Sequence, residues 1–217
     1  GLPAQLTDRD KAYLDLARRM GIILSHLGTG VVEMVSVTTH GESLEPLLGT
    51  LAKQILVDML GQHFTTRLTL INIGEFAKER GIKLEHTADL AASAITDSVT
   101  VQVKTREDTF EIIGEVFLDG RPRIMAIDGY QMNLVPEGEM LFIVNDDQPG
   151  VIGLVGTIFG DHKINIADMM LSRRKNTALM VLKLDAPIPQ DAMQQLQASK
   201  PQIIKVLPVT LPRLNNA

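Results

Sequence analysis

The chain contains no cysteine and no tryptophan among its 217 residues, and only 4% of its residues are aromatic. The absence of cysteine excludes disulfides, thiol nucleophiles, iron–sulfur clusters and cysteine-bound zinc. The scarcity of aromatic residues argues against a nucleic-acid surface built on base stacking. A net charge of −5 disfavours nucleic acid and anionic membranes as partners, because both select for basic surfaces.

Long apolar runs are also missing. No stretch approaches the roughly 18 consecutive apolar residues of a membrane span, and Gly1-Leu2-Pro3 does not open a signal peptide. We therefore expect a cytoplasmic protein without membrane contact. The chain begins with glycine rather than methionine, which is compatible with a fragment or a processed product.

Signals for a metal or a nucleotide cofactor are weak. The five histidines, His26, His40, His63, His86 and His162, are scattered and lack the spacing of metal ligands. Gly28-Thr29-Gly30 resembles the start of a dinucleotide loop, but Glu33 stands where the third glycine belongs. We predict no catalytic residue, no metal and no cofactor in this chain.

Residues 1–137 predict one α+β domain with a mixed or antiparallel sheet. Thr7 and Asp10 have the spacing of a helix capping box, and Gly28 is a candidate helix end. Periodicity and turn residues predict helices at 46–61 and 74–80 and strands at 31–39, 68–73, 82–86, 99–103, 110–117 and 123–127. The segment 133–138 is the best candidate for a linker.

Residues 138–217 predict a second domain of the split βαβ type. The expected order is strand 139–145, helix 149–160, strand 163–173, strand 177–185, helix 189–198 and strand 202–209. Such a pattern gives a four-stranded antiparallel sheet with both helices on one face. The other face needs a cover, which favours a homodimer or a higher homo-oligomer. Glycines at 150, 153, 156 and 160 are expected to let the first helix pack closely onto the sheet.

The turn Asn145–Gly150 is the best candidate for a binding site. It joins an apolar strand to a helix, so free backbone N–H groups lie beside side chains that could hold an ammonium group. A small zwitterion suits such a corner. The alternative is that Asp147 simply caps the helix and that Asn165 simply turns the backbone. Arg121 and Arg123 could bind an anion, or could be a solvated charge pair.

Several motifs resemble the C-terminal regulatory half of D-3-phosphoglycerate dehydrogenase, of the type with an intervening domain before an ACT domain. They are Tyr13-Leu-Asp-Leu-Ala17, Phe76-Ala-Lys-Glu-Arg-Gly-Ile82, Arg121-Pro-Arg-Ile-Met-Ala-Ile-Asp-Gly-Tyr130, Pro136-Glu-Gly-Glu-Met-Leu141, Asn145-x-Asp-x-Pro-Gly-Val-Ile-Gly153 and Ile164-Asn-Ile-Ala167. The resemblance covers essentially the whole chain. It implies an intervening domain at 1–137 and a ferredoxin-like βαββαβ ACT domain at 138–217.

The resemblance also implies a function. Enzymes of this family oxidise 3-phosphoglycerate with NAD in serine synthesis, their ACT domains pair side by side, and L-serine binds at the seam as a feedback inhibitor. The implied ligand-binding residues are Asn145, Asp147, Gly150, Val151, Ile152 and Asn165. Arg121 and Arg123 are candidates for a second, anion-binding site. The chain has no counterpart of the catalytic domains, so we expect no dehydrogenase activity from it alone.

Two other interpretations remain open. The β chain of the two-chain iron–sulfur L-serine dehydratase carries similar intervening and ACT domains. The chain could also be a purely structural oligomerisation module. Two departures from the family pattern affect the ligand: Gln148 replaces an arginine common before the Pro-Gly pair, and the hairpin at 173–176 lacks the family's glycines.

Overall fold

The computed structural model describes residues 6–28, 30–90 and 97–214. The chain divides into two compact units, one formed by residues 1–128 and 133–136 and the other by residues 129–132 and 137–217. Each unit combines helices with a sheet, which confirms the predicted α+β class.

The first unit is built around a six-stranded mixed sheet. Its elements are α1 (Asp8–Leu27), β1 (Val32–His40), a 3-10 helix (Glu42–Leu47), α2 (Leu48–Gly61), α3 (Ile73–Glu79), β2 (Lys83–Asp89), β3 (Ser98–Thr105), β4 (Thr109–Val116) and β5 (Pro122–Ile127). The sixth strand, β6 (Tyr130–Leu134), is divided between the two units, since residues 129–132 belong to the second. The strand order is β2-β1-β3-β4-β5-β6. Strand β1 pairs in parallel with β2 and antiparallel with β3.

Helix α1 begins and ends where the sequence predicts. The Thr7 hydroxyl accepts a hydrogen bond from the Asp10 backbone N–H (3.1 Å), and the Asp10 carboxylate accepts one from the Thr7 N–H (2.8 Å), so the capping box is complete. Gly28 follows the last helical residue. A Cβ added there would lie 2.2 Å from Cζ of Phe110, so lack of space explains this glycine.

A glycine also lets α1 lie close to α2. A Cβ at Gly21 would lie 2.6 Å from the Ile55 carbonyl oxygen, closer than a real Cβ can approach. The predicted helix at 46–61 is an α-helix only from Leu48, because Pro46 lies in the preceding 3-10 helix. The sequence therefore predicts the end of α2 correctly and its start two residues too early.

The predicted strand at 68–73 is wrong, since the segment forms turns and then the start of α3. The Asn72 side chain accepts a hydrogen bond from the Thr69 N–H (2.7 Å), and the Thr69 hydroxyl accepts one from the Asn72 N–H (3.3 Å). These local bonds satisfy the backbone groups that a strand would need for pairing. The short helix and the strand after it are confirmed.

The predicted linker at 133–138 is partly wrong, because β6 continues to Leu134. Asp128 and Gly129 both have positive φ (47° and 77°), as two-residue hairpin turns require, and β6 follows at once. The apolar residues Tyr130, Met132 and Leu134 alternate with polar ones, and Leu134 is completely buried. This alternation is a strand signal that the sequence interpretation missed.

The second unit has the predicted βαββαβ order and is ferredoxin-like. Its elements are β7 (Gly138–Asp146), α4 (Val151–Asp161), β8 (Ile166–Arg174), β9 (Thr177–Leu184), α5 (Gln190–Ala198) and β10 (Ile203–Leu211). The sheet order is β10-β7-β9-β8 with antiparallel pairing throughout, so β8 is an edge strand. Residues of both helices, among them Val155 and Leu196, share one core with Leu141 and Met180 of the sheet.

The opposite face of this sheet is also built from apolar side chains. Met140, Phe142, Leu179 and Val181 alternate with the residues of the helix-side core and are each at most 4% exposed.

Candidate functional site

The corner between β7 and α4 leaves helix donors uncapped. Gly150 precedes the helix with φ of 91°, a left-handed conformation that favours glycine, and no side chain of the described residues caps α4. The first bond of the helix runs from the Leu154 N–H to the Gly150 carbonyl (2.9 Å). The N–H groups of Val151, Ile152 and the next residue therefore point out of the helix start, where an anionic group is favourable.

Asn145 contributes a buried acceptor beside these donors. Its side chain is 3% exposed, and its Nδ2 donates to the Asp146 carbonyl oxygen at 2.7 Å. Its Oδ1 has no hydrogen-bond partner among the described residues. A buried acceptor without a partner costs roughly 1–3 kcal/mol, so a donor supplied from outside would be stabilised here.

The alternative interpretation expected Asp147 to cap α4, but its side chain does not do so. Its backbone N–H donates to the Asn176 carbonyl (2.9 Å), and its Oδ2 accepts a 2.7 Å hydrogen bond from Nε of Arg173. The Asp147 side chain is 20% exposed and the Arg173 side chain is 70% exposed. The carboxylate is thus held by a cation that solvent can reach, and an incoming ammonium group would compete with it.

Asn165 lies at the other end of the sheet from this corner. The pairing of β9 places Glu139 and Ile166 opposite Leu184, and Asp146 and Arg174 opposite Thr177. These rows are separated by about seven residues, or about 23 Å at 3.3 Å per residue. Asn165 therefore does not join the corner within one chain.

The Asn165 side chain makes a bond at its own end of the sheet. Its Nδ2 donates to Oδ2 of Asp185 at 2.6 Å. Of the six predicted ligand residues, the structure brings together the five at the start of α4 and the end of β7 and leaves Asn165 apart. The five were adjacent in sequence, whereas the position of Asn165 depends on strand register.

The glycines of α4 do not pack onto the sheet, so that expectation is wrong. Val151, Val155, Ile158 and Phe159 make the contact with the core. The glycines lie on the exposed side of the helix, and a Cβ added at Gly153, Gly156 or Gly160 would meet no atom of the described residues within 4 Å. The three glycine positions on this exposed side of α4 are therefore open surface.

The edge strand β8 exposes apolar side chains. Met169 and Leu171 are each 43% exposed. They pair with Leu182 and Met180, which belong to the core beneath the helices, so they lie on the helix side of the sheet. An exposed apolar edge invites pairing with another strand.

The two arginines predicted to bind an anion lie around β5. Arg123 donates to Oδ2 of Asp119 (2.8 Å), and its side chain is 12% exposed. The Arg121 backbone N–H, and after it the Arg123 guanidinium, hold the pKa of the Asp119 carboxyl below its usual range. An anion at this place would have to displace Asp119.

Within residues 6–28, 30–90 and 97–214, no group of three His, Asp or Glu side chains could hold a metal ion. None of the helices that the structure describes is long and apolar enough to cross a membrane.

Comparison with known families agrees with this two-unit architecture. Residues 140–200 match the ACT domain, and residues 9–128 match the D-3-phosphoglycerate dehydrogenase intervening domain. The class is therefore an intervening-type unit followed by an ACT unit. Since the intervening-domain match covers more than half of the residues, the chain belongs to the D-3-phosphoglycerate dehydrogenase intervening domain family, and the resemblance found in the sequence is confirmed.

Curated relatives extend the same similarity. The D-3-phosphoglycerate dehydrogenase of Synechocystis is 28% identical over 203 residues, which are 90% of this chain and 36% of that protein. The Bacillus subtilis enzyme of that name is 28% identical over 216 residues, covering 97% of this chain and 41% of the relative. That of Archaeoglobus fulgidus is 29% identical over 188 residues, covering 85% and 36%. The chain thus spans little more than a third of these relatives.

Proposed function

We propose that this chain is the regulatory region of a cytoplasmic, NAD-dependent D-3-phosphoglycerate dehydrogenase and senses L-serine or a similar small amino acid. The ligand binds at a seam between two copies that pair through their β8 edges. NAD and 3-phosphoglycerate bind elsewhere in the parent enzyme. The relatives' names support the parent activity, and the ACT match supports an amino-acid effector.

The observation that carries the proposal is the separation of Asn165 from the corner along β8. The corner lies beside the end of β8, because Asp147 bonds Arg173, whereas Asn165 precedes its start. When two β8 strands pair antiparallel about a two-fold axis, the start of one lies beside the end of the other. Asn165 of the partner subunit then faces this chain's corner, and two complete sites form.

The surface around β8 suits such pairing. The edge offers unpaired backbone groups, and Met169 and Leu171 would become buried between the copies. The glycine side of α4 would let the second copy approach closely. This is a different reason for dimerisation from the open sheet face that the sequence suggested.

The corner provides a partner for each group of an amino acid. The N–H groups at the start of α4 receive the carboxylate. The ammonium group, and a hydroxyl where the ligand has one, take Oδ1 of Asn145, the Asp147 carboxylate and Asn165 of the partner subunit. Binding requires the ammonium group to replace Arg173 at Asp147, which favours a compact cation.

The proposed regulation follows from the fact that the ligand contacts residues of two copies at once. A ligand held by residues of two copies binds the paired arrangement better than the separated one and shifts the population toward it. In the parent enzyme, this shift changes the orientation of the domains attached to each ACT unit. The coupling is allosteric because that orientation, and not contact with substrate, alters the catalytic rate.

A complementation experiment tests the site in trans. We expect Asp147→Ala and Asn165→Ala each to weaken L-serine binding about tenfold or more in calorimetry, because each removes a hydrogen-bonding partner of the ligand. A mixture of the two variants should recover tight sites. In a mixed dimer, one site has both wild-type residues and the other has neither, so random mixing restores about a quarter of all sites.

The controls separate the site from the fold. Asp168→Ala removes an exposed acid of β8 that is not among the proposed ligand residues, and it should leave binding unchanged. Failure of the mixture to recover tight sites would place Asn165 and the corner in one chain or remove Asn165 from the site. No heat from the wild-type chain with millimolar L-serine, glycine or L-alanine would support the structural module instead. The Asp147–Arg173 ion pair favours that alternative, since it already supplies the carboxylate with a cation.

A further inference from the structure

The first unit contains an apolar cavity that the proposed amino-acid site does not use. It is partly open to solvent and has a volume of about 420 Å3, within the usual range for small-molecule sites. Its walls are mostly apolar. They are formed by Val31 and Val32 at the start of β1, Leu60 at the end of α2, Phe64 after α2 and Ile82 after α3. A neighbouring cavity of about 250 Å3 shares Leu60 and His63 with it.

Arg80 gives this cavity a fixed positive charge. Its guanidinium lies 3.6 Å from the ring centre of Phe76 and 5.0 Å from that of Phe64, and the two rings meet edge to face. The Glu79 carboxylate lies 3.9 Å from the Arg80 guanidinium, and the Glu79 side chain is 67% exposed. Among the described residues, the Arg80 guanidinium donates no hydrogen bond to an acceptor, whereas the Arg80 backbone N–H donates to the Ala77 carbonyl oxygen at 3.1 Å. Stacking therefore orients the guanidinium and leaves its N–H groups for a ligand.

The other polar group in the wall is held in place. Nε2 of His63 lies 3.0 Å from the Ser25 carbonyl oxygen, which can only accept, so this nitrogen carries a proton. That bond ties the end of α2 to α1. The bond therefore anchors the part of the cavity wall that His63 forms.

The charges around the cavity distinguish between kinds of ligand. None of the described residues that line it is an aspartate or a glutamate. The Glu107 carboxylate approaches Gly30 at one edge but does not line the space. An ammonium group inside would lack a partner and would lie near Arg80, which disfavours amino acids. The ACT corner has the opposite character, since it holds a carboxylate and a carboxamide.

We propose that this cavity binds a small carboxylic acid with an apolar body, whose carboxylate pairs with Arg80 and whose body fills the space lined by Val32, Leu60 and Ile82. A planar guanidinium can take a carboxylate through two parallel hydrogen bonds. The apolar body gains by leaving water, at about 0.8 kcal/mol for each buried CH2 group. The first unit would then respond to a different class of metabolite from the second.

Three matched probes test the ligand class. The labelled 217-residue chain is titrated with 4-methylpentanoate, 4-methylpentanamide and L-leucine, and backbone amide signals are followed by NMR. The acid should shift the amides of Leu60, His63 and Ile82 at millimolar concentration. The amide should bind at least about tenfold more weakly, because it carries no charge and loses the charge-assisted bond to Arg80. Leucine should also bind at least about tenfold more weakly, because its added ammonium group would have no partner.

Substitutions then locate the binding. Arg80→Gln should weaken binding of the acid about tenfold or more, whereas Arg67→Gln, an exposed arginine that does not line the cavity, should leave it unchanged. Val31→Trp fills the mouth from a residue that is 55% exposed, so it should abolish binding without lowering the unfolding temperature. The proposal is overturned if the acid shifts none of these amides at millimolar concentration. Equal binding by wild type and Arg80→Gln overturns it as well.

Discussion

Helices α1 and α4 differ in how their N-terminal N–H groups are satisfied and in what surrounds their internal glycines. The start of α1 is closed by the Thr7–Asp10 capping box, and Gly21 lies against α2. The start of α4 has no side-chain cap, and Gly156 faces open space. In the first unit, the helix start is capped and the glycine packs against a neighbouring helix. In the second unit, the N–H groups at the helix start remain available as donors, and the glycine lies on open surface. Sequence patterns of this kind show where such features lie but not whether they are satisfied.

The largest expected effect concerns the glycine between α1 and α2. Gly21→Ala should lower the free energy of unfolding by about 1–3 kcal/mol, because the new Cβ would overlap the Ile55 carbonyl oxygen and force the helices apart. Urea denaturation measures this loss. Gly49→Ala, in α2 but without neighbours within 4 Å among the described residues, is the control and should not destabilise. An equal loss in both variants would mean that helix spacing is not the cause.

The capping box should matter at an intermediate level. Thr7→Ala removes the acceptor for the Asp10 N–H, and we expect a loss of about 1 kcal/mol in urea denaturation. Thr7→Ser keeps the hydroxyl and should remain within a few tenths of a kcal/mol of wild type. Unchanged stability in Thr7→Ala would show that water satisfies the N–H groups at the start of α1 as well as the Thr7 hydroxyl does.

The smallest effect should have the opposite sign. Gly156→Ala places a better helix former at an open position, so the unfolding free energy should rise by about 0.5–1 kcal/mol in dilute protein. At concentrations where two copies pair, the gain should shrink, since the added methyl group would lie in the proposed seam. Thermal unfolding at several protein concentrations separates the two cases. A gain that is independent of concentration would remove this side of α4 from the seam.

Much of the fold could be predicted because its signals are local. The alternation of Val99, Val101 and Val103 marks β3, and all three are buried. The βαββαβ order follows from a change of periodicity and from two turns. The failed strand at 68–73 had β-forming residues, but the paired bonds of Thr69 and Asn72 start a helix there. The β-propensity of a six-residue segment is too weak to outweigh these local hydrogen bonds.

The site was predictable to a smaller extent. Asn145, Asp147 and the residues that open α4 are neighbours in the chain, so one turn places them together. The ion pair of Asp147 joins it to a hairpin 26 residues away, and no local pattern indicates that contact. The cavity beside Arg80 was also missed. Its only local signal was a set of apolar residues at the ends of elements, which looks the same whether or not space remains between them.

The length of β8 has a consequence for how such a sensor would behave in a cell. In the proposed arrangement, the two halves of the site lie at opposite ends of β8, so a single chain carries both halves and cannot bring them together. Occupancy would then rise with the abundance of the protein as well as with that of the metabolite. Diluting the sample, with every residue intact, would be enough to make it insensitive.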